Sequence, residues 1–178
     1  FKAPVVVDDQ LVAGTPPRAI PDPGDIGSYP SVSVDAMGTI HLSFTDLNKD
    51  NLMYTNLKDK KLEIIDDGLR IDGKTSDGID KPVFHLVGDD SGIILQNGQI
   101  FVVYMDATTH ELNYAGRKAE NLWRRKTIAG AEMPFKGAYG WSASVDGKGA
   151  GATLSSYVIN NATQERFVEV FQLTLTIE

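Results

Sequence analysis

The carboxylates are the residues of this sequence best placed to do chemistry. Asp22, Asp25, Asp72, Asp77 and Asp80 fall in Gly- and Pro-punctuated stretches, and Asp46, Asp50, Asp106 and Glu111 flank short apolar runs. Gathered on one face, they would offer oxygen ligands to a calcium ion, which takes roughly six to eight. Two of them about 5–10 Å apart, one with a raised pKa, would instead be a general acid and base for cleaving a glycosidic bond. Turn formation is the stronger reading of most of them, because an Asp side chain accepts hydrogen bonds from its own backbone and no contiguous calcium loop such as an EF-hand is present. No metal site is assigned, and calcium stays only a candidate ion.

The other chemistry-bearing types are sparser. His41, His85 and His110 lie on separate segments without ligand spacing. His41 opens what reads as an inner strand, which makes it the histidine best placed for catalysis. Ser155 and Ser156 lack the GxSxG setting of an activated nucleophile. With no cysteine in the chain, disulfides, thiolate metal sites and Cys nucleophiles are all excluded. The aromatic residues Tyr29, Tyr139 and Trp141 stand at corresponding entries to two repeats, where a ring would stack on a sugar, anchor a protein ligand or pack between sheets. The set assigned to ligand binding is Tyr29, Asp46, Arg70, Asp106, His110, Tyr139 and Trp141, and no catalytic residue is assigned.

What must position these residues is a repeated set of strands. Phe44-Thr45-Asp46 followed by Leu52-Met53-Tyr54 returns sixty positions later as Tyr104-Met105-Asp106 followed by Leu112-Asn113-Tyr114. Val7-Asp8-Asp9-Gln10-Leu11 returns as Ile65-Asp66-Asp67-Gly68-Leu69, and Ser33-Val34-Asp35 with Gly38 returns as Ser144-Val145-Asp146 with Gly149. Apolar residues alternate in short runs bounded by Gly, Asp, Asn and Pro, the strand signal, and no helical stripe with caps stands out. The first copy reads as strands 31–34, 39–45, 52–56 and 61–65. The second reads as 83–87, 99–105, 111–116 and 123–128 with an insertion over 89–97, and the third as 142–145, 152–158 and 166–176.

Four antiparallel strands per repeat of this length describe a β-propeller blade. The expectation is therefore an all-β chain of three four-stranded blades, approximately 12–65, 66–129 and 130–178, the last completed by strand 5–11. A β-sandwich is the alternative. Three blades cannot close a ring of the usual size, roughly four to eight blades. The chain is accordingly expected to be half of a six-bladed ring, completed by a second copy or by a different chain, with Val5–Leu11 pairing with Arg166–Thr176 across the junction. Ligands would meet the face built from loops 14–29, 68–81 and 130–140 together with 46–51, 106–110 and 159–164.

Composition narrows the partners. A formal charge of −7 argues against a phosphate backbone, and the basic run Arg124-Arg125-Lys126 reads as a solvated strand. No run approaches the roughly 18 apolar residues of a membrane helix. The chain opens on Phe1 without a signal-like segment, which reads as a mature or trimmed form of an exported protein. Asn161-Ala162-Thr163 fits the glycosylation sequon, a short pattern that carries weight only in a eukaryotic secretory setting.

Tyr29-Pro30-Ser31-Val32-Ser33-Val34-Asp35 through Gly38, His41-Leu42-Ser43-Phe44, and Glu111-Leu112-Asn113-Tyr114-Ala115 resemble the blade repeats of secreted bacterial sialidase-like propellers. In that superfamily an Asp-box turn locks a hairpin. Here Ser33, Asp35 and Gly38 carry one extra residue before the glycine, and Ile40 replaces the aromatic residue. The resemblance implies a secreted or cell-surface bacterial protein. It does not carry over sialidase activity, because Arg18, Arg70, Arg117, Arg124, Arg125 and Arg166 do not fall in the motif that grips the substrate carboxylate. The function expected is noncatalytic recognition of a glycan or protein ligand on the loop face. The alternative is a secreted carbohydrate-active hydrolase or lyase using acidic loop residues.

Overall fold

The computed structural model describes residues 26–130, 151–160 and 162–177, together with the backbone of 138–148. The first strand set is β1 (Ile26–Val34), β2 (Ile40–Asp46), β3 (Asn51–Asn56) and β4 (Glu63–Asp66), followed by a pair, β5 (Leu69–Lys74) and β6 (Asp80–Phe84). The second set is β7 (Val87–Gln96), β8 (Gln99–Asp106), β9 (Glu111–Ala119) and β10 (Leu122–Ala129). The third is β11 (Ala138–Lys148), β12 (Gly151–Ile159) and β13 (Arg166–Leu173). The two four-stranded sheets, the three-stranded sheet and the β5–β6 hairpin are antiparallel throughout, with neighbours in chain order. Among the described residues there is no helix, and so none long and apolar enough to cross a membrane.

The sixty-residue recurrence has a packing reason. Leu52 and Tyr54 of the first sheet are buried against Val87, Ile93, Val102 and Tyr104 of the second. Leu112 and Tyr114, their counterparts in the second sheet, are buried against Leu154 and Val158 of the third. Each sheet thus turns the same face to its successor. The second sheet is covered on both sides, so residues 101–106 of β8 are all buried and read in sequence as an unbroken apolar run, Phe101-Val102-Val103-Tyr104-Met105. Strand β12, which among the described residues has a sheet packed on one side only, alternates strictly between buried and half-buried positions.

β7 packs against both β1 and β11, so the first strands of the three sheets are neighbours. These strands share an irregularity. Pairing of β1 with β2 shifts register at Ile26/Ser28 and Ser28/Ser31, β7 with β8 at Val87/Asp89 and Asp89/Gly92, and β11 with β12 at Ala138/Trp141 and Trp141/Ser144. The extra residues adopt left-handed backbone at matching places, Gly27 (φ 102°) and Tyr29 (φ 50°) in β1, Gly88 (φ 103°) and Asp90 (φ 50°) in β7. Such bulges unpair a strand and re-aim its side chains. Gly88 also sits where a Cβ would lie 2.8 Å from Thr45 Oγ1 and 3.1 Å from Leu52 Cβ, so the second sheet approaches the first closely only because this residue has no side chain.

Two expectations need correction. The first strand of the second repeat is β7, at Val87–Gln96, and the segment expected as an insertion over 89–97 is most of that strand; Val83 belongs to the β5–β6 hairpin. The polar run Asp89-Asp90-Ser91 at the bulge hides the alternation. The turn after it is a two-residue Asn97-Gly98 connection with positive φ at both positions (51° and 74°), the hairpin geometry that Asn-Gly favours. The second correction concerns 68–81, expected as a loop, which is largely the β5–β6 hairpin. Strand 5–11 and the loop 14–25 lie outside the described residues.

Candidate functional site

The turns between second and third strands repeat one device. Asp46 Oδ1 accepts the backbone N–H of Asn48 at 3.1 Å, and Asp106 Oδ1 accepts those of Thr108 (3.1 Å) and Thr109 (3.2 Å). Asp50 and His110 close these turns with left-handed backbone (φ 53° and 58°). Asp35 plays a like part between β1 and β2, its Oδ1 accepting Met37 N–H at 2.9 Å and Thr39 N–H at 2.8 Å. The Thr39 and Met37 bonds, with His41 alongside, hold its carboxyl below the usual carboxylate range against the effect of desolvation. His41 is on the second strand of its sheet, buried, with Nδ1 2.7 Å from Tyr54 Oη and Nε2 3.3 Å from Asp35 Oδ2. Both ring nitrogens are thus engaged by neighbours within the sheet, at the start of a strand that has partners on both sides.

Asp106 has a second use. Its Oδ2 lies 2.8 Å from His85 Nδ1 and 3.6 Å from Arg70 Nη2. Arg70 in turn makes a two-pronged pair with Asp66, Nη2 to Oδ2 at 2.7 Å and Nη1 to Oδ1 at 2.9 Å, while Tyr104 donates to Asp66 Oδ2 at 2.6 Å. His85 Nε2 reaches Asp72 Oδ2 at 3.3 Å. This network joins β4, β8 and the base of the β5–β6 hairpin. At that base Gly68 (φ 71°) and His85 face each other, His85 N–H donating to Gly68 O at 2.9 Å, and a Cβ on Gly68 would lie 2.2 Å from His85 O. Burial raises the Asp66 carboxyl, but the bonds from Arg70 and Tyr104 outweigh it and hold Asp66 below the usual range. Burial, reinforced by the Asp66 charge, pushes the Tyr104 phenol well up, so it stays protonated as a donor. Arg70 and Asp106, both expected on the ligand face, are brought together here. The side chains of Arg70, Asp66 and Asp106 are only 11%, 6% and 0% exposed, and no spacing or motif singled out Asp66, His85 or Tyr104 as their partners.

A second network fastens the outer strands. Glu63 Oε2 accepts Arg117 Nε (3.0 Å), Asn121 N–H (3.1 Å) and Trp123 Nε1 (3.0 Å), linking β4 to β9 and β10. Burial opposes ionisation of Glu63, but the Arg117 and Asn121 bonds outweigh it and lower the carboxyl.

More open chemistry lies where β1 and β7 begin. Tyr29 is 46% exposed, and its carbonyl accepts the Ser91 hydroxyl at 3.2 Å. Next to Ser91 in the chain are Asp89 and Asp90, both half-buried. Burial first, and then the charges of Asp90 and Asp50, raise the Asp89 carboxyl above the usual range. Since the folded-state value is raised, Asp89 contributes stability at low pH, and this is lost as the pH climbs through the raised value. Asp89→Asn is therefore expected to raise the melting temperature at pH 7, with the gain vanishing in scans at or below about pH 3. An equal gain at both values would show that its charge is not the cause.

The side chains of Tyr139 and Trp141, and the residues Asp22, Asp25 and Asn161, lie outside the described residues. Among the described residues no three His, Asp or Glu side chains gather as a metal-ligand set.

No family model matches the sequence, and no curated protein matches it. The chain is similar in fold to the crystal structure of an α-L-arabinofuranosidase from Lactobacillus brevis, with a TM-score of 0.56 at 9% identity over 86% of this chain and 51% of that one. The chain thus spans about half the length of the structure it matches, and what the two share is the arrangement of an all-β fold.

Proposed function

We propose that the chain is part of a carbohydrate-recognising β-propeller, its sheets serving as blades, and that it holds sugar without cleaving it at the end where β1 and β7 begin. The observation that carries the reading is the surface there, where Tyr29 is exposed and its backbone carbonyl accepts the hydroxyl of Ser91, the residue that follows Asp89 and Asp90 in β7. An aromatic ring offers a flat apolar face to a sugar ring, and carboxylates accept hydrogen bonds from its hydroxyls. The fold likeness to a glycosidase supports the substrate class. Calorimetric titration with α-L-arabinofuranosyl and other neutral oligosaccharides tests it. Saturable binding is expected, weakened about tenfold (about 1.4 kcal/mol) by Tyr29→Ala; no binding across the panel rejects it.

A second reading, hydrolysis, is favoured by the Asp89 carboxyl, raised by burial and by the charges of Asp90 and Asp50, because upward is the direction in which a general acid is tuned. Release of nitrophenol from an aryl α-L-arabinofuranoside, abolished in Asp89→Asn, would replace binding with catalysis.

A further inference from the structure

The buried His85 ring stands between two carboxylates, and only its protonated form satisfies both. Nδ1 lies 2.8 Å from Asp106 Oδ2, and Nε2 lies 3.3 Å from Asp72 Oδ2. A neutral imidazole carries one N–H, so one carboxylate would face a lone pair, whereas an imidazolium donates to both. The surrounding charges favour the same state. Asp72 and Arg70 face this spot from β5, Asp106 from β8, and Asp66 from β4 through its pair with Arg70. Three carboxylates thus share one guanidinium, and a protonated His85 is the cation that brings the group closer to neutrality. Of the other titratable groups at this end, Asp67 accepts the Leu69 N–H at 3.0 Å, Tyr104 stays a protonated donor, and His110 closes the β8–β9 turn.

The two contacts are unequal, and this decides which is given up when the proton leaves. The Asp106 side chain is 0% exposed and makes the shorter contact, whereas that of Asp72 is 55% exposed. A buried carboxylate cannot exchange its donor for water, so the remaining proton stays on Nδ1 and Asp72 loses its partner. Asp72 also sits where the hairpin is weakest. Arg70 pairs with Val83 and Gly73 with Lys81, and the register shifts between them, at Ile71 and Asp72. Below this break the hairpin base is fastened. His85 N–H donates to Gly68 O at 2.9 Å, Leu86 N–H to Thr108 Oγ1 at 2.9 Å, and Ala107 N–H to Leu86 O at 2.8 Å. Beyond the break the bonds run within the hairpin itself, from Thr75 N–H to Ile79 O and from Gly78 N–H to Thr75 O, both at 2.9 Å, with Lys74 paired to Asp80.

We infer that His85 is a proton-operated latch on the outer half of the β5–β6 hairpin, residues 73–81. With the ring protonated, Asp72 is held against it and the outer half is seated. When the Nε2 proton passes to solvent, that tie is released and the outer half loosens about the break at Ile71 and Asp72, while the base and the three sheets stay folded. The sign follows from which form binds the proton. The seated hairpin favours the protonated ring, so it is held on the acid side and released as pH rises through the range in which histidines titrate, roughly pH 5–8.

Amide hydrogen exchange read by mass spectrometry, corrected for the pH dependence of the chemical step, tests the latch on the whole chain. Between about pH 5.5 and about pH 8, protection over residues 73–81 is expected to fall about tenfold while residues 101–106 of β8 keep theirs. Asp72→Asn changes an exposed side chain, and its amide can donate to the neutral ring. This variant is expected to keep the hairpin protected at both pH values. His85→Gln, which carries no charge at either pH, is expected to show the low protection at both. Equal protection of 73–81 at the two pH values in the unmodified chain overturns the latch. So does a fall that persists in Asp72→Asn, which would trace it to His110, and so does a fall shared by 101–106, which would be opening of the whole chain. Should His85→Gln fail to fold, the unmodified chain and Asp72→Asn decide the matter between them.

Discussion

Arg70→Ala is expected to destabilise the chain by about 3–5 kcal/mol at pH 7, because it leaves carboxylates buried without their cation. Asp66 would keep the Tyr104 hydroxyl and the Gly68 N–H, and Asp106 would keep His85, but neither would retain a permanently charged partner. The pH dependence separates this loss from a simple packing loss. The Asp66 carboxyl is held low in the folded state, so its stabilising contribution is present above the ordinary carboxylate value and is lost as pH falls through the lowered one. Urea unfolding of both proteins should therefore show the gap narrowing between about pH 5 and the acid limit of folding. A constant gap would mean that Arg70 acts through its methylenes. Arg70→Met, which keeps most of the apolar stem, should recover little at pH 7 if the charge is what matters.

Leu112→Ala should cost about 2–5 kcal/mol, through lost burial and the cavity left between the second and third sheets. Leu112 is fully buried, as is its counterpart Leu52, but the two lie in different clusters on opposite sides of the second sheet. The same substitution at Leu52 should cost a similar amount, and the double variant close to the sum, since the two sites share no neighbour. Denaturant curves with unchanged slope would show that the folded and unfolded ensembles are otherwise preserved. A cost below about 1 kcal/mol at Leu112 would contradict its central place in the core.

The second to fourth strands of the first sheet were legible to within two residues because they are bounded by residues with an obligatory turn role, such as Asp35, Asp46 or Asn56, whereas β1 starts at Ile26, five residues before the expected 31 and inside the segment expected as a loop, because its bulge breaks the alternation. The recurrence of Leu52/Leu112 and Tyr54/Tyr114 survives because a position facing the next sheet must stay apolar in every copy. The start of β7 was not legible, since a bulged strand breaks alternation where Asp89, Asp90 and Ser91 are solvated. The Asn97-Gly98 pair was the one local signal of the hairpin that follows. At the site, the sequence pointed to Arg70 and Asp106 but not to their company. Asp66, His85 and Tyr104 come from a strand end, a hairpin base and a core strand, and only the closure of the β5–β6 hairpin on the second sheet brings them together. Long-range polar networks leave no spacing to read.

The identity of the face each sheet offers its successor bears on how such a chain can grow. A duplicated unit of about sixty residues, copied in phase, would arrive with both of its interfaces already complementary to its neighbours. Neither Leu112 nor Ser43 would have to change to accommodate it. Lengthening would then be a single recombination event rather than a series of compensating substitutions, the general economy of architectures in which each unit touches only the next. Out-of-phase copies would fail at the first joint, because the β5–β6 hairpin is anchored by Arg70 to residues on either side of it.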